Sequence, residues 1–245
     1  MRKLISFLFC LFVLSSAATA RAQQEAQELT DAKAAELSVM ISPRLEGDTL
    51  LIKGRIDSHI YDYLAYASAA ELQSIRVVDF DSLGGNVSWA LEIAEKLKAL
   101  GKVHRLRAGN FCASACVFLF AAGKERLAAP GTWFGIHGAR LGAGYTTSFE
   151  GYCFLETDDG PPEFAPRKKG CQDFLSHWYA VSLKATEDSF SFMEGNGIAR
   201  SLREAYFSLA DDPEWYFAMN VIRKPDWILR AEEAGAYALV TGIIQ

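Results

Sequence analysis

Ser114 stands between two cysteines, in Cys112-Ala113-Ser114-Ala115-Cys116, at the head of the apolar run Val117-Phe118-Leu119-Phe120-Ala121-Ala122. A hydroxyl at the start of a helix lies beside backbone N–H groups without helical partners and near the positive end of the dipole. It is a weak nucleophile until a base takes its proton. Imidazole is the side chain whose charge changes near neutral pH, and His137, in Gly135-Ile136-His137-Gly138, is the candidate base. The chemistry these two residue types allow is nucleophilic acyl transfer. Each has a plainer reading when taken alone: the serine as a helix cap or small core residue, the histidine as a hydrogen-bonded core residue on an apolar strand. His59, His104 and His177 read as surface or structural histidines.

The elements that must position this pair follow from periodicity. Leu37–Ser42 and Thr49–Ile56 read as β runs joined across Glu46-Gly47-Asp48, and Ile60–Leu72 as a helix. Ile75–Phe80 is a β-branched strand that ends at Ser82-Leu83-Gly84-Gly85. Val87, Ala90, Leu91, Ile93, Ala94, Leu97 and Leu100 then recur at helical spacing, stopped by Gly101. Val103–Leu106 is a strand, Ala113–Ala122 an apolar helix, and Arg126–Ala128 and Trp133–His137 strands. Alternating strand and helix predicts an α/β fold built on βαβ units with right-handed crossovers. In such sheets the site lies at the carboxyl ends of the strands, where both Gly84-Gly85 and Ser114 fall. Residues 139–171 are dense in Gly, Thr, Asp and Pro and read as a surface insertion. Helical patterns return from Gln172 to Leu209, broken at Gly195-Asn196-Gly197. The end reads as a helix over Ala231–Ala236 and a strand over Leu239–Ile244.

Asp81-Ser82-Leu83-Gly84-Gly85, the stretch Cys112 to Gly123, Gly135-Ile136-His137-Gly138, and Asp226 followed by Glu233-Ala234 and Tyr237-Ala238-Leu239-Val240 come in the order and near the separations of the Clp protease proteolytic subunit. The chain resembles that family over roughly 75–140 and 222–244. The resemblance implies a ClpP/crotonase-type α/β core, a spiral of repeated ββα units, with a helical C-terminal elaboration. It implies a Ser114–His137–Asp226 triad in which Asp226 holds the imidazole in its working tautomer, with the N–H groups of Gly85 and Ala115 as oxyanion donors. It also implies no cofactor, peptide or unfolded protein as substrate, and the possibility of a homo-oligomer. Exported signal-peptide peptidases of the same broad fold use a Ser–Lys pair instead, for which the positions of Lys102 and Lys124 give no specific support.

The start of the chain is a separate signal. Arg2-Lys3, an apolar run Leu4–Leu14 and small residues through Ala22 fit a signal peptide cut after Ala22, with Ala20 the alternative. The run is too short to span a bilayer. Residues 23–35 read as a loose polar arm, and 36–245 as one domain carrying the insertion at 139–171. Export, most simply to a periplasm, follows, with no membrane anchor in the mature form. The net charge of −5 becomes more acidic once Arg2, Lys3 and Arg21 are removed, which argues against nucleic acid as partner. Four cysteines remain, an even number in an exported chain. Cys153 and Cys171 bracket the Gly/Pro-rich stretch and are the favoured disulfide. Cys112 and Cys116 either form a short bridge or stay reduced and buried. No Cys/His spacing resembles a metal site. The expected function is a serine hydrolase, a peptidase; the alternative is a non-catalytic binding or scaffold protein that retains the fold.

Overall fold

A computed structural model describes residues 35–138, 154–155, 163–164, 169–210 and 227–244. In chain order the elements are β1 (Arg44–Glu46), β2 (Thr49–Lys53), α1 (Ser58–Tyr66), α2 (Ala69–Ser74), β3 (Val77–Asp81), α3 (Val87–Leu100), β4 (Val103–Leu106), β5 (Phe111–Ala113), α4 (Ala115–Ala121), β6 (Glu125–Ala128), β7 (Trp133–Ile136), β8 (Phe154–Leu155), β9 (Glu163–Phe164), α5 (Lys169–Gly195), α6 (Arg200–Ala210), β10 (Trp227–Arg230), α7 (Ala231–Ala236) and β11 (Gly242–Ile243). The expected α/β architecture is present, with a mostly parallel sheet. A six-stranded sheet runs in the order β1-β2-β3-β4-β6-β11, and a three-stranded sheet in the order β10-β7-β5. All pairs of the larger sheet are parallel except β1 with β2. In the smaller sheet β5 lies parallel to β7, and β10 antiparallel to it.

One face of the large sheet is apolar because alternate residues of a strand share a face. Leu50, Ile52, Val78, Phe80, Leu106 and Ala128 join a single core with Ala90, Ile93, Ala94 and Leu97 of α3. Those four fall on one stripe at i, i+3, i+4 and i+7. Asn86 starts α3 by accepting from the N–H groups of Ser88 and Trp89. Gly101 ends it in the left-handed region, φ 63°. Every residue of α4 is buried, as a helix apolar on all sides must be. Phe120 on α4 packs between Phe80 and Phe134, with ring centroids 6.1 and 5.1 Å away.

Several expectations need correction. The helix expected over Ile60–Leu72 is two helices. Ser68 breaks it, forming a capping box with Glu71 that starts α2. Instead of a strand over Leu37–Ser42, Met40 makes a single bridge to Gly54, and the strand paired with β2 is β1. β5 and β10 were not expected as strands. The helix expected from Ala113 begins at Ala115, because Phe111–Ala113 pairs with β7. The last three residues of the expected insertion, 169–171, belong to α5, which starts at Lys169. The loose arm at 23–35 and the leader lie outside the described residues, apart from Ala35. Among the described residues no helix is long and apolar enough to cross a membrane.

Candidate functional site

The two sheets meet beside the segment that holds Ser114. Ser82, just past β3, makes a parallel bridge to Cys112 of β5: its N–H donates to the Phe111 carbonyl at 2.8 Å, and its own carbonyl accepts from Ala113 at 3.0 Å. The Ser82 hydroxyl donates to the Gly54 carbonyl at 2.6 Å and accepts from the Gly84 N–H at 3.0 Å. This buried serine therefore ties β2, β3 and β5 together at their carboxyl ends.

Ser114 occupies the turn between β5 and α4 with φ 57° and ψ −127°. Among the described residues only Ala238 shares a positive φ without being glycine. Such a conformation costs an L-residue of order 1–3 kcal/mol and persists only where its surroundings fix it. Here the Ser114 N–H donates to the Gly135 carbonyl at 2.8 Å, and the Ser114 carbonyl accepts from Val117 at 2.9 Å. Its side chain makes no capping bond to α4, so the plain helix-cap role is not the one it plays.

Gly84 lies directly against it. A Cβ on Gly84 would fall 2.5 Å from the Ser114 Cβ and 2.9 Å from the Ala115 nitrogen, and its φ of +94° disfavours any side chain. Gly85 is held from the other side by a parallel bridge to Ile56. The Ile56 N–H donates to Gly84, and the Asn86 N–H to Ile56, both at 2.9 Å. In a parallel ladder those bonds leave the N–H of the bridged residue pointing away from its partner strand. The Ala115 N–H is the first of α4 and has no helical acceptor. Gly85 and Ala115, the two expected donors, are thus the chain neighbours of the close Gly84–Ser114 contact.

His137 follows β7 and is half-buried. Its Nδ1 lies 2.5 Å from the Gly138 carbonyl oxygen. A carbonyl can only accept, so Nδ1 carries a proton. Ser114 and His137 line one pocket with Val87, Val117, Phe118 and Ile136. The pocket is tight, about 10 Å³, room for little more than one water. No hydrogen bond between Ser114 and His137 is among those of the described residues. The fourth wall comes from α5, through Thr186, Ser189, Phe190 and Met193, a contribution the sequence reading missed. Their helical spacing was the available signal. The Thr186 and Ser189 hydroxyls donate to the Ser182 and Ala185 carbonyls, both at 2.7 Å, so the helix itself absorbs these donors.

Asp226 and Cys153 lie outside the described residues. β10 begins at Trp227, whose partner in β7 is Ile136, the residue before His137. Cys112 and Cys116 are joined by a disulfide with the two Cα atoms 5.2 Å apart, which resolves the alternative left open for them. Cys171 is disulfide-bonded as well. Lys102 and Lys124 precede β4 and β6, at the amino ends of the strands and away from Ser114. His104 is a core residue. Its Nδ1 donates to the Phe120 carbonyl at 3.1 Å, and burial lowers its pKa to about 4. A larger cavity of about 520 Å³ opens elsewhere, beside Lys53, Asp79, Asp81 and Arg107. Its buried Asp79 is neutralised by Arg105, at 2.5 and 2.8 Å, and by Arg107. Among the described residues no group of His, Cys, Asp and Glu is arranged to hold a metal ion.

No protein-family model matches the sequence, and no curated protein does. Among solved structures the chain is similar to an alanine mutant of 1510-N, a membrane-bound stomatin-specific protease. The TM-score is 0.46 at 19% identity, over 80% of this chain and 77% of that one.

Proposed function

We propose that this chain is an exported Clp-type serine hydrolase acting on peptides or unfolded protein. The observation that carries the reading is Ser114 itself: a non-glycine residue at φ 57° on a strand-to-helix turn, pressed against Gly84 and sharing a pocket with a histidine. Strained strand-to-helix turns are a recurrent way to present a nucleophilic hydroxyl. On this reading the two sheets form the crotonase-type spiral, and the enzyme works in the periplasm without a cofactor, as a possible homo-oligomer.

The chemistry runs in two halves. Ser114 Oγ attacks the acyl carbon as His137 Nε2 takes its proton, and the carbonyl oxygen, now negative, receives the Gly85 and Ala115 N–H groups. His137 then returns the proton to the leaving amine, and water repeats the sequence on the acyl-enzyme. Asp226 is the proposed third member. On this reading the Asp226 carboxylate replaces the Gly138 carbonyl as acceptor of the His137 Nδ1 proton in the substrate complex. The hydrogen bond from Ser114 to His137 forms on this reading in the substrate complex, as such bonds often tighten there.

The pocket walls select the acyl side. Val87, Val117, Phe118, Ile136, Phe190 and Met193 are apolar, so a neutral aliphatic group fits and a charged one is left unpaired. The pocket's small volume requires the Phe190 or Met193 side chain to shift as the group enters. Ser114→Ala is expected to abolish hydrolysis of a leucine-bearing fluorogenic peptide while leaving the urea midpoint unchanged. Undiminished turnover in that variant would sink the proposal. A folded wild-type protein inert to all acyl substrates would favour the non-catalytic scaffold instead.

A further inference from the structure

Cys112 and Cys116 lie in different elements, the first in β5 and the second in the opening turn of α4, and Ser114 is the middle residue of the ring their disulfide closes. Five residues of extended chain would hold their end Cα atoms about 13 Å apart; here the separation is 5.2 Å. The cross-link therefore pins a reversal of direction at Ser114. Backbone bonds alone secure that residue on two sides, through Gly135 and Val117. A non-glycine residue at φ 57° gains by relaxing toward negative φ, and without the cross-link only those two bonds and the packing of α4 oppose a local shift at its first turn.

We propose that Cys112 and Cys116 are positioning residues for Ser114, their disulfide holding the turn that presents its hydroxyl to the pocket. This rests on the hydrolase reading and adds to it a device that sets the nucleophile's conformation. Both cysteines are fully buried, so thiol reagents cannot reach the sulfurs while the protein is folded. The bridge acts as a permanent brace. A ring this short removes little entropy from the unfolded chain compared with longer disulfide loops, so its effect belongs in the site more than in global stability.

The test compares wild type with Cys112→Ala/Cys116→Ala and with Cys112→Val/Cys116→Ala, the second keeping more of the core volume. Each is measured for kcat and KM on a fluorogenic leucyl peptide, for its rate of reaction with a fluorophosphonate, and for the Ser114 φ in a crystal structure. The expected result is a kcat and labelling rate lower by about 10²-fold, the loss a displacement of about 1 Å can cause. KM should stay within about threefold, and φ should move to negative values. Unchanged kcat in a folded variant overturns the inference, as does a proportional loss through KM alone. If wild type itself proves inert, the hydrolase reading fails and the Ser114 φ decides the rest. A positive φ kept without the disulfide overturns the brace, and a relaxed one supports it.

Discussion

Gly84 and Gly101 both have positive φ, yet they make opposite demands on a side chain. Nothing lies within 4 Å of a Cβ on Gly101, whereas one on Gly84 meets Ser114 at 2.5 Å. Gly101→Ala should therefore cost only the conformational penalty, about 1 kcal/mol, and leave fluorophosphonate labelling intact. Gly84→Ala should push Ser114 aside and lower labelling by more than about 10²-fold. Equal labelling in the two variants, measured beside their urea midpoints, would refute this account of the turn. His104 allows a second prediction. Burial holds its pKa at about 4 against an ordinary 6.5. The unfolded chain takes up a proton there that the folded chain refuses, so this contribution is complete above pH 6.5. It drains as pH falls toward 4, at up to about 1.4 kcal/mol per pH unit. His104→Leu should flatten the fall in urea midpoint between pH 6.5 and 4.5. A parallel fall in both proteins would contradict it. At this scale the sequence was most legible: Ser114, Gly84-Gly85 and His137 could all be singled out by type and order, and the structure gathers them around one turn and pocket. The roles of His104 and Arg126 were not legible, since both depend on carbonyls that only the fold brings to them.

Arg126 shows what the elements require. It is buried on β6 and donates from Nε to Leu239, from Nη1 to Gly123 and Asn196, and from Nη2 to Ala238, all backbone carbonyls at 2.9 to 3.2 Å. It thus joins β6 to the α5–α6 turn and to the chain after α7. Burial lowers its pKa, but guanidinium remains charged at any working pH. Arg126→Lys cannot reproduce the planar fork and should cost about 3 kcal/mol, from carbonyls left unpaired. A urea midpoint within error of wild type would show the fork to be dispensable. On α5, Met193→Ala should widen the pocket and raise kcat/KM for phenylalanyl over valyl substrates; an unchanged ratio would remove α5 from the specificity wall. Element boundaries were hardest to read where two signals overlap. Phe111-Cys112-Ala113 is apolar like the helix that follows, so only its pairing with β7 reveals a strand. Ser68 and Glu71 form a capping box inside a stretch whose apolar spacing suggested a single helix.

Across the whole molecule, a mostly parallel sheet and a smaller mixed sheet converge at Ser82 and Cys112, and the candidate site lies where they meet. The alternation of strand and helix made the first sheet readable. The second was not, because β10 reaches β7 from across a long stretch of chain, and local periodicity does not report such pairing. The central claim is that this junction presents Ser114 as a nucleophile. The most direct measurement is peptide-level mass spectrometry of the native protein after exposure to a fluorophosphonate. The account predicts one adduct, on Ser114, absent from protein unfolded before exposure. A folded protein with no adduct, or with its adduct on another residue, would contradict it.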